Sequence, residues 1–228
     1  MKIISALYTL LLMLTVLSTT RCFGDHDINR MIEKSFSQFK GSYIILVRKN
    51  KFTLEIIGRD KNIVASYLIG YGSNPDKKAK LYEGDNRTPE GEYSIVEILS
   101  MDAGKNTNSY GKLAALNKIY FRAKDGHGKI NNPGEDLGDN AYGPRFFLLS
   151  YPNDNDKKNY QKNLKEGKIP KLKGKTPGIG FGIAIHGNSD ESSIGHLCTS
   201  GCVRMYNSDI VELDRYIQVG MPVIITSE

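Results

Sequence analysis

The feature that most restricts the fold of this chain is a series of short β-branched segments divided by turn residues, beginning at Tyr43. YIILVR, then Lys49-Asn50-Lys51, then FTLEIIG reads as two strands joined by a tight turn, and IVASYLIGYG (63–72) supplies a third. GDNRTPEGEYSIVEI (84–98) reads as a loop, a turn and another strand. In its Thr88-Pro89-Glu90-Gly91, proline presets the second position of a β-turn and glycine suits the fourth. YGPRFFLLSYP (142–152) is a strand behind a Gly-Pro entry, FGIAIH (181–186) is a strand of the buried type, and MPVIIT closes the chain as a strand.

Helical spacing is confined to a few places. DINRMIEKSFSQFK (27–40) has apolar residues at 28, 31, 32, 36 and 39, with Gly41 as a stop. Asn207-Ser208-Asp209 is placed to cap a helix running to about Ile217, with Gly220 ending it. Residues 100–145 are rich in Gly and Asn, and Tyr110 to Phe121 reads as a short helix followed by a strand. From Lys157 to Lys175 there are eight lysines and one glutamate, which reads as a solvated surface loop, with a lid or a contact to anionic wall polymer as the functional alternatives. No internal repeat or linker interrupts the pattern, so the expectation is one mainly β domain with a few helices.

MKIISALYTLLLMLTVLSTT opens with one lysine and an apolar run from Ile3 to Leu17, the pattern of a secretory signal and short for a membrane span. Cys22-Phe23-Gly24 offers a small-x-small cleavage site leaving Asp25 first, and Arg21 before Cys22 argues against a lipoprotein. Export to a periplasm or cell wall is the expectation. Without residues 1–24 the chain keeps 29 basic and 25 acidic side chains. This excess is modest and not organised around aromatics, which argues against a nucleic-acid partner. Two cysteines then remain, too few for a disulfide scaffold.

Those two cysteines sit in IHGNSDESSIGHLCTSGCVRM (185–205) together with His186 and His196. The spacing His186-x9-His196-x-Cys198-x3-Cys202 supplies four zinc donors but only one knuckle-like pair. A Cys198–Cys202 disulfide would close a very short loop and add little through chain entropy. The third reading is a thiol nucleophile with a histidine base carried on an adjacent strand. Ser200-Gly201 before Cys202 lets the backbone turn sharply and offers N–H groups to a reacting carbonyl oxygen. Gly187 leaves room beside the imidazole, and Arg204 either braces the loop or holds a carboxylate. Spacing alone leaves all three readings open.

His186-Gly187 followed by Thr199-Ser200-Gly201-Cys202-Val203-Arg204-Met205 resembles the signature of the L,D-transpeptidase catalytic domain family (YkuD-type). YIILVRKNKFTLEIIG, GDNRTPEGEY, AYGPRFFLL and MYNSDIVELDRYIQVGMPVIIT are similar to the family's other segments, in its order, from about Tyr43 to Thr226. The resemblance implies a mixed β-sandwich or barrel-like catalytic domain over 43–228, behind a signal (1–24) and a helical segment (25–42). It implies Cys202 as nucleophile and His186 as general base, with a backbone carbonyl near Gly187 orienting the imidazole. The N–H groups of Gly201 and Cys202 would bind the oxyanion, with Ser200, Gly187 and Arg204 beside the substrate. No metal or cofactor is implied. The substrate class is a peptidoglycan stem peptide, and the acyl acceptor is a second stem, a wall-anchored protein, a free D-amino acid or water. The oligomeric state is left open.

Three departures from the pattern matter. Ser200 stands where many members have histidine, Cys198 lies outside the motif, and residues 99–141 and 153–178 are longer than in a compact member. SYPNDNDK…GIGFGIAIHG is also similar to a branch that acts as an amidase, so a hydrolase (L,D-carboxypeptidase or amidase) is the rival within enzymology. A silent, zinc-loaded or oxidised wall-binding module is the rival from another class. His196 and His127 read as loop residues, and Tyr142 as core or cleft wall.

Overall fold

The structure is a computed structural model that describes residues 25–119 and 141–228. Its strands are β1 (Tyr43–Arg48), β2 (Thr53–Gly58), β3 (Ile63–Gly72), β4 (Gly91–Ser100), β5 (Arg145–Leu149), β6 (Ala184–His186), β7 (Leu197–Thr199), β8 (Val203–Met205) and β9 (Pro222–Thr226). Hydrogen bonding runs β2-β1-β9-β4-β5-β6-β8-β3, and β3 pairs back onto β2. Eight strands therefore close into a barrel, and β7 hangs on β3 outside the ring. Closure leaves few unpaired strand edges, and the one addition is three residues long. The sheet is mixed: β1–β9 and β6–β8 are parallel, whereas β1–β2, β4–β5 and β5–β6 are antiparallel.

Side-chain alternation gives every strand an inner and an outer face. Inside, Ile45, Ile56, Ile95, Phe147, Ile185, Val203 and Ile225 form the main core. Fully burying an aliphatic side chain of this size contributes roughly 1.5–3 kcal/mol, and this core holds the barrel together. Outside lie two smaller apolar patches, each roofed by a helix. The helix α1 (Asp25–Gln38) lays Ile28 and Ile32, one turn apart, on Ile44, Leu46, Ile57 and Ile224. The helix α2 (Asn108–Ile119) lays Leu113 on Leu99, Phe146 and Ala184.

Several expectations change in detail. The lysine-rich stretch is not a loop throughout, because Asp154–Lys165 forms α3. Asn153 accepts from the Asn155 and Asp156 backbone N–H groups, and Asp156 accepts from the Asn153 N–H, a complete capping box. The closing helix α4 (Asn207–Leu213) gives way to a single 3-10 turn at Asp214–Tyr216, and no side chain caps its start. Asn207 is engaged elsewhere: it accepts from the Asn188 N–H at 2.9 Å and donates to the Asn188 carbonyl oxygen at 2.9 Å. Tyr142-Gly143-Pro144 is a turn, so β5 begins only at Arg145. The strand expected near Phe121, His127 and the apolar leader lie outside the described residues. Among those described, no helix is long and apolar enough to cross a membrane.

Candidate active site

The parallel pair β6–β8 sets Ile185 opposite Val203 and His186 opposite Arg204. Ile185 and Val203 fill the barrel core, so the residues beside them in sequence, Ala184, His186 and Cys202, face outward together. Cys202 packs against the patch formed by Leu99, Leu113, Phe146 and Ala184. The antiparallel partner of His186 on β5 is Phe146, whose ring stacks on the imidazole at 5.9 Å between centroids. Tyr142 meets the same imidazole edge-on at 4.9 Å. Strand pairing thus brings a histidine and a cysteine sixteen residues apart in sequence to one apolar outer surface.

His186 is buried, and its Nδ1 lies within hydrogen-bond reach of the Gly187 carbonyl oxygen. A carbonyl only accepts, so Nδ1 carries the proton and Nε2 presents the lone pair. Burial above all, helped by the nearby Arg204 guanidinium and opposed by the Gly187 carbonyl, brings the imidazole pKa down to about 3. The imidazole is therefore neutral at physiological pH. Gly187 itself is packed rather than open: a Cβ there would stand 2.3 Å from Asn207 Oδ1 and 2.9 Å from Pro144 Cδ. Its bareness admits the Tyr142–Pro144 turn, not a substrate.

The cysteine stands on a tight loop held by Thr199. That hydroxyl accepts from the Gly201 N–H at 3.1 Å and donates to the Cys202 carbonyl oxygen at 2.7 Å. Gly201 has φ +142, and a Cβ there would lie 2.9 Å from both the Arg87 carbonyl oxygen and Ile183 Cδ1, so only glycine fits. Because its N–H is engaged by Thr199, Gly201 serves this loop by conformation rather than as a waiting oxyanion donor. The Cys202 Sγ lies 3.6 Å from the Gly182 carbonyl oxygen, and Ser200 is exposed at the loop tip.

The loop containing Arg87 buttresses this turn from behind. The Asp85 carboxylate gathers Lys80 Nζ and the N–H groups of Leu81, Tyr82 and Arg87, while Thr88 Oγ1 accepts from the Gly72 N–H at 2.9 Å. Lys49, almost fully buried, reaches Glu90 at 2.6 Å and ties the same loop to the end of β1.

Arg204 makes contacts within the same loop region. Its Nη1 donates to Ser193 Oγ at 3.1 Å, and its buried Nε has no partner among the described residues. Burial raises the Cys198 pKa, with Arg204 and Ser193 pulling the other way, so this sulfur stays protonated at neutral pH. Cys198 rests against Gly70, where a Cβ would approach its Sγ to 2.5 Å. The two cysteines are not bridged, His196 is exposed, and among the described residues no three His, Cys, Asp or Glu side chains converge as metal donors.

Sequence reasoning gave no role to Thr199, Asn188 or Asn117. Asn188 donates to the Met205 carbonyl oxygen at 2.6 Å, and Asn117 of α2 holds the Tyr142 N–H and the Gly143 carbonyl oxygen. Arg145, from the Gly-Pro-Arg entry, pairs with Asp102 and Asp214 at 2.7 Å each and locks the turn beneath the imidazole. Thr199 bonds within its own loop, two and three residues on, whereas the partners of Asn188 and Asn117 are remote in sequence.

YqjB of Bacillus subtilis, assigned by name to the L,D-transpeptidases, is 43% identical over 44 residues, which are 19% of this chain and 25% of YqjB. Among solved structures, Bdellovibrio bacteriovorus Bd1075 aligns at 23% identity and TM-score 0.47 over 82% of this chain and 49% of its own. An L,D-transpeptidase from Mycobacterium smegmatis aligns at 11% identity and TM-score 0.43, over 81% of this chain and 58% of its own. The chain thus spans a quarter of the curated relative it matches and about half of Bd1075. The family model for the L,D-transpeptidase catalytic domain matches residues 42–225, well over half of the chain, and the chain belongs to that family.

Proposed function

We propose that this protein is an exported cysteine acyltransferase acting on peptidoglycan stem peptides, with Cys202 as nucleophile and His186 as general base. The observation that supports it most is the shared outer face: His186, its Nδ1 held by the Gly187 carbonyl oxygen, stands beside the loop that carries Cys202. Nε2 is then the proton acceptor. Because the imidazole resists protonation, it rests neutral, with Nε2 free to accept. The thiol proton moves to Nε2 only as sulfur attacks a carbonyl carbon. The scissile C–N bond then breaks, the imidazolium returns the proton to the departing amine of the terminal D-amino acid, and a thioester remains on Cys202. An acceptor amine, deprotonated by the same imidazole, attacks the thioester and restores the thiol.

In this reading Arg204 and Ser200 shape the loop, and Gly201 supplies its backbone conformation. Export rests on the apolar leader, and a second stem amine as acceptor, giving a 3→3 cross-link, rests on family membership. The test is mass spectrometry of digested cell walls after incubation with the wild-type protein or with Cys202→Ala. New cross-linked dimers with the wild type alone are the expected result. Shortened or released peptides would reassign the protein as a hydrolase, and equal products from both proteins would reject Cys202 as nucleophile.

A further inference from the structure

The lysines between 157 and 175 have no part in the thiol chemistry. Eight lysines against one glutamate give this stretch a net charge of +7 in a chain whose total is +6, so everything else together carries −1. The fold sets four of these lysines along one side of α3. The inner side of the helix is fixed by polar contacts: Tyr93 donates to Asp156 at 3.0 Å, and Tyr160 donates to the Pro177 carbonyl oxygen at 2.7 Å. No residue of α3 is buried. On the outer side, Lys157, Lys158, Lys162 and Lys165 line a shallow open groove with Gln161 and Glu166. Positions 158, 162 and 165 lie one turn apart and form a stripe along the helix.

Only part of this charge is compensated. Lys157 pairs with Asp154, and Lys162 and Lys168 share Glu166, while Lys158, Lys165, Lys171, Lys173 and Lys175 have no carboxylate partner among the described residues. Holding like charges together is unfavourable unless a counter-charge arrives.

We infer that the α3 face is a docking surface for a linear phosphodiester polymer without bases. Three observations select that partner. The face has no apolar stripe to insert into a bilayer, since Leu164 is its lone aliphatic residue, which disfavours a membrane surface. Its one aromatic, Tyr160, is tied inward to Pro177, so no ring is offered for stacking on bases. The cations are all lysines, point charges suited to a run of phosphates rather than to one bidentate carboxylate. Such a contact would hold the enzyme on an anionic polymer matrix.

The experiment uses the full chain and a fluorescent glycerol-phosphate oligomer, with binding read by anisotropy across a salt series. Binding is expected to weaken steeply with salt. The triple variant Lys158→Gln, Lys162→Gln, Lys165→Gln should bind about tenfold or more weakly at low salt and flatten the log–log salt slope by about 2, on the rule of roughly 0.7 per neutralised phosphate. Cys202→Ala should bind like the wild type, so this result stands apart from the fate of the acyltransferase reading. Rate of Cys202 alkylation by iodoacetamide, unchanged in the triple variant, verifies folding. An unchanged slope in the triple variant, tighter binding to phosphatidylglycerol vesicles, or tighter binding to an oligothymidylate would each overturn the inference.

Discussion

On the outer wall of the barrel, α1 covers Ile44, Leu46, Ile57 and Ile224, and α2 covers Leu99, Phe146 and Ala184, but only the second patch runs on to a histidine and a thiol. The device is the same in both places: an outward apolar surface roofed by one helix. Under α1 the roof is complete, and Ile28 and Ile32 are both buried. Under α2 the strand ends continue past Leu113 to His186 and to a Cys202 that is only partly buried. A covered patch is a stability element. A patch whose cover stops short becomes a dry floor for chemistry, where burial keeps an imidazole neutral.

The contrast can be tested, beginning with the largest effect. His186→Gln should lower acyl transfer by about 10²–10⁴-fold, the range for loss of a general base, while leaving the α1 side untouched. Wall digestion products over time measure it, and a loss below tenfold would mean the second patch is as silent as the first.

Next come the two roofs. Ile32→Ala and Leu113→Ala should each cost about 2–5 kcal/mol in denaturant unfolding, since both side chains are almost fully buried. Only Leu113→Ala should also change the rate at which iodoacetamide alkylates Cys202 in the folded protein. If both variants change that rate equally, the two patches are not separate.

The last test concerns pH. The folded imidazole titrates at about 3, well below its unfolded value near 6.5, so the unfolded chain alone takes up a proton in between. His186 therefore contributes stability that is fully present above about pH 6.5 and is lost as pH falls toward 3, by up to about 1.4 kcal/mol per unit. His186→Gln should remove that part of the acid slope in unfolding curves compared with the wild type. Parallel curves would place the imidazole in solvent contact.

Much of this architecture was readable from residue order. β1, β2, β3 and β9 announce themselves because β-branched runs are bounded by turn residues, and α1 because Ile28 and Ile32 keep the helical period. His186 and Cys202 stood out only through the resemblance of their flanking residues to the family signature, because spacing alone left three readings open. The helix α3 was not, since a lysine-dominated segment has no apolar period and its helicity comes from the Asn153–Asp156 capping box. Asn207 reads as a cap by local rules, yet it bonds Asn188, nineteen positions away. The Gly201 N–H reads as an oxyanion donor until the Thr199 hydroxyl is seen to take it. Simple reading rules fail where a polar group has a competing partner for its hydrogen bond, near or remote.

The group that orients the imidazole is the peptide carbonyl of Gly187, and a peptide carbonyl has no codon of its own. An alanine scan passes straight over it, and a catalogue of side chains near the thiol omits it. Substitution can reach it only by displacing the backbone, through the tight packing of Gly187 against Asn207 and Gly143. Replacements at those supporting positions would therefore be recorded as loss of function far from the chemistry, although what they disturb is the choice of which ring nitrogen holds the proton.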